Sequence, residues 1–385
     1  MRHHNSVFHA LQKHLPWAVF DQLVEKHKAD HRVRRLDTKS QLLALLFGQF
    51  AGATSLREIE AGLASHEARL YHLGVKRPAR STLADANASR PSALFAELFA
   101  HMAATAGRAT RRHLKDAVRV LDATRIELSS LSGGWLEAVN GHRAIKLHVC
   151  YDPAAATPLR AELSGQRVND ITPAKAMPIE PGTTYVFDLA YYDYAWWADL
   201  HGNGCRFVSR LKSNTPLEVT AEQAAQGQGD ILSDRIGLLP RRMAASRRNP
   251  FADPIREITV RIATGKIIRL VTNDLDAPAE EIADLYRQRW QIELFFKWVK
   301  QNLKVRHFLG TSENAVRIQL FVALIAYLLL RAAQATQTAI RQPLAFARLV
   351  RLNIMHRRPI NALQSPPQLT IQHDTRQLAL DLTKT

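Results

Sequence analysis

The chain is poor in cysteine, in acid and in long apolar runs. Its two cysteines, Cys150 and Cys205, cannot build a disulfide framework or a cysteine-rich zinc site, which points to a reducing compartment. They sit in apolar, strand-like surroundings and read as buried thiols. The N-terminal histidines (His3, His4, His9, His14, His27 and His31) lack a zinc-ligand pattern with cysteine or acid and read as surface residues. Met1 to Ser6 lacks the apolar core of a secretory signal. The greasiest run, Leu320 to Leu330, is bracketed by Arg317 and Arg331 and falls well short of the ~20 residues of a membrane span, so it reads as a buried helix. There is no internal repeat. Against 52 Lys+Arg there are only 35 Asp+Glu, a net charge of +17 with a pI near 10.2. That surplus speaks of partners rather than fold and favours a polyanion, nucleic acid first and anionic membrane second. What is present is ordinary: 46% apolar and 23% charged residues in a chain of 385 exclude wholesale disorder and suit two or three domains. The class implied is a soluble, cytoplasmic protein that faces nucleic acid.

Residues 1–107 read as helical, with helices over Trp17–His31, Lys39–Phe50, Ser55–Leu63, Arg80–Arg90 and Pro91–Ala104. The short helices around a turn are weakly suggestive of a helix-turn-helix, against an ordinary helical bundle. Arg108, Arg111, Arg112 and Lys115 form a basic joint. Strand-like runs follow at Val118–Leu121, Ala144–Cys150, Leu159–Leu163, Thr184–Phe187 and Phe207–Lys212, the second and third forming a hairpin across Asp152-Pro153. A helix is predicted across Tyr194–Leu200, which gives an α/β layer. Residues 216–272 contain a second basic cluster (Arg241, Arg242, Arg247, Arg248) and a hairpin over Ile258–Thr272. Pro278 and the acids Glu280 and Glu281 open a long helix predicted to run to about Leu303. A second covers Glu313 to about Thr336, and the remainder is a basic tail.

The first long helix places Tyr286, Arg289, Glu293, Lys297 and Lys300 within an arc of roughly 80°. Trp290, Ile292, Leu294, Phe295, Phe296, Trp298 and Val299 form an apolar girdle around that stripe. A solvated face laced by i,i+4 pairs is one reading. One carboxylate among phosphate-binding groups in a groove is the other. Asp122 and Asp188 each follow an apolar strand, where α/β sheets place their chemistry and where a cation would offset the cost of a buried acid. As residues alone they are equally readable as loop caps. Asp152, Asp193 and Asp284 are rival acids: Asp152-Pro153 fits a turn, and Asp284 lies on a different helix face from Glu293.

Tyr286-(2)-Arg289-(3)-Glu293-(6)-Lys300 resembles the Y-R-E-K signature of the DDE transposases of insertion sequence family four, and strand-Asp122 and strand-Asp188-Leu-Ala-Tyr191 resemble that family's first two acids. Ala190 stands where many members have glycine. The resemblance covers about residues 115–335, and the leading helical region is similar to an N-terminal domain of some members. It implies an α/β fold: an RNase H-like catalytic core (108–215 and 273–338) with a strand-rich insertion (216–272), preceded by an all-helical N-terminal domain (1–107) with a possible role in DNA-end binding and followed by a basic segment (339–385). It further implies that Asp122, Asp188 and Glu293 are catalytic and bind two Mg2+ or Mn2+ ions for in-line phosphoryl transfer. Tyr286, Arg289 and Lys300 would contact DNA phosphates, with Lys297 as an inferred helper and Arg210 and Lys212, from the strand after the second acid, beside them.

The partners implied are double-stranded DNA, as terminal inverted repeats and target, and a second copy of the chain in a homodimer on DNA, with no membrane. The activity implied is cut-and-paste transposition, often through a hairpin end with a flipped base on an aromatic residue; Trp290, Trp298, Trp196 and Trp197 are the candidates. The alternatives are a catalytically inactive or domesticated DNA-binding protein of the same fold, and a general nuclease, which leaves the Tyr-Arg-Lys face without a purpose. The positive surplus then has three addresses: the Glu293 helix face, Arg241–Arg248, and residues 304–358.

Overall fold

A computed structural model describes residues 5–111, 117–129, 135–223, 229–242, 248–302 and 308–365. The basic joint at 108–115 and the side chains of Arg247, Lys304 and Arg306 lie outside the described set, as do His3 and His4. The first region is helical: α1 (Val7–Gln12), α2 (Trp17–Lys26), α3 (Thr38–Ala51), α4 (Leu56–Ala64), α5 (Glu67–Leu73), α6 (Arg80–Ser89) and α7 (Ser92–Arg111). Local chemistry sets several ends. Asp37 caps α3 by accepting from the Ser40 N–H at 2.7 Å, and Gly52 ends it in a left-handed conformation. Ser55 caps α4 by accepting from the Glu58 N–H. α1 and α5 have no counterpart among the predicted helices; both are too short for a periodic signal.

The sheet follows, with β1 (Val118–Leu128), β2 (Arg143–Asp152), β3 (Thr157–Gly165), α8 (Ile171–Ala176), β4 (Thr184–Val186), α9 (Tyr194–Gly202) and β5 (Arg206–Arg210). Then come β6 (Glu218–Gln223), β7 (Ile231–Leu238), β8 (Ile255–Arg261) and β9 (Ile267–Thr272). The chain closes with α10 (Ala279–Gln288), α11 (Trp290–Asn302), α12 (Glu313–Ala335) and α13 (Pro343–Asn353). All nine strands form one sheet in the order β3-β2-β1-β4-β5-β9-β8-β7-β6. β1, β4 and β5 are parallel, and β3, β2 and β1 are antiparallel. This mixed five-strand unit with helices against it is the RNase H-like core. The strand-rich stretch after β5 continues the sheet rather than forming a separate layer, because β9 returns antiparallel beside β5.

Two expectations change here. β1 does not stop at Asp122 but runs on to Leu128, because β2 pairs with it from Val120 to the end; Ile126 and Leu128 alternate inward with Arg125 and Glu127 outward. The long helix predicted from Pro278 is two, α10 and α11, with a tightened turn at Arg289, whose N–H reaches back to the Tyr286 carbonyl at 3.1 Å.

α12 is the post of the molecule. Buried on every side from Ala315 to Leu330 except at Arg317, it needs cover all round, and it receives it from α1, α3, α6, α7, α11 and α13. By length and composition it could cross a membrane, unlike the shorter run read from the sequence, but 83% of its most apolar window is buried inside the protein. The chain ends clasp beside it: Val7 and Phe8 donate N–H bonds to the carbonyls of His356 and Ile354, and Arg351 donates to the Ala51 carbonyl at 3.1 Å. The N-terminal helices and the C-terminal segment therefore share one core with α12. Several cations of 304–358 are structural as a result: Arg317 pairs with Glu313, Arg351 ties α13 to α3, and Arg358 donates to Asn353 and to nearby carbonyls. A second, aromatic cluster lies under β4 and β5, with Phe187 packed on Trp196 at 4.9 Å and Trp197 on Phe207 at 5.2 Å. Cys150 and Cys205 are both buried there as free thiols.

Candidate active site

β1 and β4 pair in parallel with Val120 opposite Val186. Asp122 and Asp188 each lie two residues further on. Side chains alternate along strands, so both carboxylates leave the same face at the same level. β4 is only three residues long, and its end exposes the flank of β1 where Asp122 sits. Asp188 is fixed by an N–H···O bond from Ala190 at 2.8 Å and Asp122 by one from its neighbour Ala123 at 2.8 Å. Ala190 is exposed and needs no left-handed backbone, so its methyl group is accommodated where a glycine is common.

α11 packs across β1 and brings Glu293 to the same place. Asp122, Asp188, Glu293, Arg289, Lys297 and Lys300 line one open cleft of about 460 Å3. Ala123, Thr124, Phe296 and Gln301 complete its walls; from the sequence only Phe296 is named, and as part of the apolar girdle rather than of the site. Thr124 lies two residues past Asp122 and Gln301 lies eight past Glu293; both follow from strand and helix periodicity once β1 and α11 are extended. The girdle of α11 is incomplete: Ile292, Phe295, Phe296 and Val299 are buried, but Trp290 is 59% and Leu294 51% exposed. Among the aromatic candidates, Trp196 and Trp197 are core and Trp298 packs on Tyr327 at 4.9 Å, which leaves Trp290 exposed, though it is not among the residues that line the cleft.

The i,i+4 pair Arg289–Glu293 does form, at 2.6 Å, yet it is not a solvated face: the Arg289 side chain is 17% exposed and also reaches Asp122 at 3.5 Å. One guanidinium thus bridges two of the three acids, with Nε buried and lacking a hydrogen-bond partner. Burial pushes the Asp122 carboxyl up from about 3.8 to about 7, with Asp188 and Glu293 adding to the rise and the Ala123 N–H and Arg289 opposing it. Arg289 lies over the Tyr286 ring at 5.8 Å, and burial raises that phenol above its ordinary range. Arg210 acts on Tyr286 from β5, outside the cleft lining. Lys212 is further off, stacked on the Tyr192 ring at 4.4 Å.

The rival acids are occupied elsewhere. Asp152 is buried against Arg119 at 3.5 Å, Asp193 caps α9 through the Trp196 N–H, and Asp284 pairs with Arg287 at 2.6 Å.

Among the described residues, no group of three His, Cys, Asp or Glu is drawn close enough to hold a metal ion, and Arg289 lies between Asp122 and Glu293 instead. The donor set nonetheless suits Mg2+ or Mn2+, being hard carboxylate oxygen throughout. The Asp122 carboxyl, raised chiefly by burial, is one whose charged form a cation would stabilise. The residues would fit a divalent ion if the guanidinium made room for it.

Comparison with known proteins identifies the family. Residues 113–329, more than half of the chain, match the family described as "Transposase DDE domain", and residues 3–76 match a domain of unknown function (DUF4372). The "Putative transposase y4zB" of Sinorhizobium fredii is 41% identical over 77% of this chain and 83% of its own length. The "Probable transposase for insertion sequence element IS5377" of Geobacillus stearothermophilus is 32% identical over 67% of this chain and 68% of its own. The transposase InsG for insertion sequence element IS4 of Escherichia coli is 36% identical over 39% of this chain and 34% of its own. The family match over more than half of the chain, and relatives covered over two thirds or more of their length, establish that the chain belongs to the DDE transposases of insertion sequences, of the IS4 type.

Proposed function

We propose that this transposase binds the terminal inverted repeats of its own element and performs metal-dependent cut-and-paste cleavage and strand transfer, passing through a hairpin at the transposon end. The observation that carries the reading is the convergence of Asp122, Asp188 and Glu293 with Arg289, Lys297 and Lys300 on one cleft. In this reading the three carboxylates hold two Mg2+ or Mn2+ ions, which when bound activate a water or a 3′-hydroxyl and stabilise the leaving oxygen. Lys297 and Lys300, on the outer turns of α11, hold the phosphates that flank the cut. Arg289 supplies a planar fork with an N–H still unsatisfied, suited to a phosphate oxygen once it leaves the acids. Tyr286 sits beneath Arg289 and sets its direction, with Arg210 behind it. Trp290, exposed at the head of α11, is the surface on which an extruded base stacks. Lys212, held on Tyr192, reaches DNA only at the margin of the site. A homodimer on DNA pairs the two ends.

The test is cleavage of a duplex carrying the sequence that borders the gene, with Mg2+ and with EDTA. Asp188→Ala and Glu293→Ala are expected to abolish nicking while DNA binding persists. Nicking that survives either substitution removes the assignment. A second reading, a DNA-binding protein of this fold without chemistry, draws on Arg289 standing among the acids; function insensitive to EDTA with the same DNA affinity would select it.

A further inference from the structure

The cleft around Asp122, Asp188 and Glu293 holds two neutral hydrogen-bonding side chains that neither phosphate nor metal binding uses, Thr124 and Gln301. The other lining residues divide cleanly. Asp122, Asp188 and Glu293 are acids, Arg289, Lys297 and Lys300 are cations, and Ala123 and Phe296 are apolar. Cations on phosphates position a duplex but carry no information about its sequence. Sequence is read by groups that turn donors and acceptors toward base edges. Among the described residues that line the cleft, Thr124 and Gln301 are the side chains of that kind.

The two differ in reach. Thr124 stands on β1, two residues past Asp122 on the same face, with Leu147 opposite it on β2. Its single hydroxyl is short and bonds any base, so it discriminates little. Gln301 stands in the last turn of α11 and is exposed. Its amide has no hydrogen-bond partner among the described residues, so both its N–H donors and its carbonyl are open. It follows Lys300 directly and Lys297 by one turn. Eight residues of helix set it about 12 Å along the axis from Glu293, or three to four base-pair steps of about 3.4 Å. Its place is fixed by packing elsewhere on α11. Phe295, Phe296 and Val299 are buried, and Phe295 lies on Tyr151 at 5.2 Å and on Tyr327 at 5.0 Å. A side chain on a packed helix keeps its register with the acids, as one on a loop would not.

We propose that Gln301 is a specificity-determining residue of this cleft, whose amide reads the major-groove edge of one adenine within about four base pairs of the cut. The Gln301 carbonyl accepts from the adenine amino group while its N–H donates to the ring nitrogen beside it, a two-bond match that the other bases do not offer. The inference rests on the function proposed above, since it takes the duplex in the cleft to be the one that is cut. It adds to that function a division of labour along α11: Glu293 serves the chemistry, Lys297 and Lys300 hold phosphates, and Gln301 checks the sequence beside them.

The experiment is an anisotropy titration of the full chain in EDTA. The probes are a labelled duplex carrying the sequence that borders the gene, and a set in which each base pair near the cut is replaced in turn. Wild type is expected to lose at least about five-fold in affinity when one A·T pair within about four pairs of the cut is replaced. Gln301→Ala is expected to bind the unaltered duplex at least about five-fold more weakly and to lose the preference at that pair while keeping it at every other. Its slope of log K against log salt is expected to match wild type, because no charge is removed. Gln301→Glu is expected to move the preference at that pair from adenine to cytosine, from whose amino group a carboxylate accepts. That exchange decides the matter if the alanine variant shifts the urea midpoint. A Gln301→Ala profile that matches wild type at every pair, a loss spread equally over all duplexes, or a wild-type profile flat across these pairs overturns the assignment. Any of these beside nicking that is lost in Asp188→Ala leaves the proposed function standing. A preference lost at one pair beside nicking that survives Asp188→Ala keeps the reader and rejects the chemistry.

Discussion

Asp122→Asn should stabilise the metal-free protein at alkaline pH while destroying its activity. The carboxyl is raised from about 3.8 to about 7, chiefly by burial. Between those values the folded protein binds a proton that the unfolded chain has released, so stability falls as pH rises through the window and levels off above about 7. The full difference corresponds to about 4 kcal/mol, an upper bound because Arg289, already 3.5 Å away, can close on the charged carboxylate and relieve part of it. Asparagine cannot ionise, and its side-chain oxygen can still accept the Ala123 N–H. Wild type and variant should therefore melt together near pH 4.5, and the variant should melt up to about 5 °C higher at pH 8. Melting is followed by intrinsic fluorescence in EDTA across that range, and again with Mg2+. Added Mg2+ should raise the wild-type midpoint at pH 8 and do far less for the variant. A gap of equal size at pH 4.5 and pH 8 would reduce the effect to packing, and no gap at pH 8 would refute a carboxyl raised by burial.

Three further substitutions probe other parts of the molecule. Arg119→Met removes the partner of the buried Asp152 and of Glu180, and should cost roughly 3–5 kcal/mol in urea unfolding. Gly52→Ala forces a left-handed residue (φ 74°) and drives its Cβ into the Arg351 guanidinium, so a loss of roughly 1–2 kcal/mol is expected in the same assay, with replacement of Arg351 by alanine recovering part of it. Lys297→Ala, at the exposed rim of the cleft, should lower the salt slope of end binding by about 0.9 without moving the melting midpoint.

What could be read from the sequence was local. Helical spacing groups Tyr286, Arg289, Glu293 and Lys300, and apolar runs precede Asp122 and Asp188, but by residues alone the stripe reads equally as a solvated face and the two acids as loop caps; the family signature is what selects them. α13 was readable in principle, with Pro343 at its start and Phe346, Val350 and Ile354 at four-residue intervals, all buried. The role of α12 was not readable. A helix apolar on every side announces burial but not its partners, and here they come from both ends of the chain. Nor could spacing reveal that Trp290 and Leu294 would be left uncovered, or that Arg289 would bridge two acids from separate elements, since both depend on how α11 meets β1.

The three acids are held by different physical means. Asp122 and Asp188 take their spacing from the Val120–Val186 backbone register, fixed by hydrogen bonds and backed by the aromatic cluster beneath Phe187. Glu293 takes its place from side-chain packing: Phe295 against Tyr151 at 5.2 Å and against Tyr327 of α12 at 5.0 Å. Strand register allows only two-residue steps that keep a side chain on its face, whereas a helix on a packed surface can shift by an ångström within the same contacts. The adjustable acid is therefore the one on the helix. It carries its own counterion four residues away, Arg289, which a divalent ion would have to displace under the function proposed above. A displaced Arg289 would stay one helical turn from Glu293, in the cleft that Lys297 and Lys300 also line.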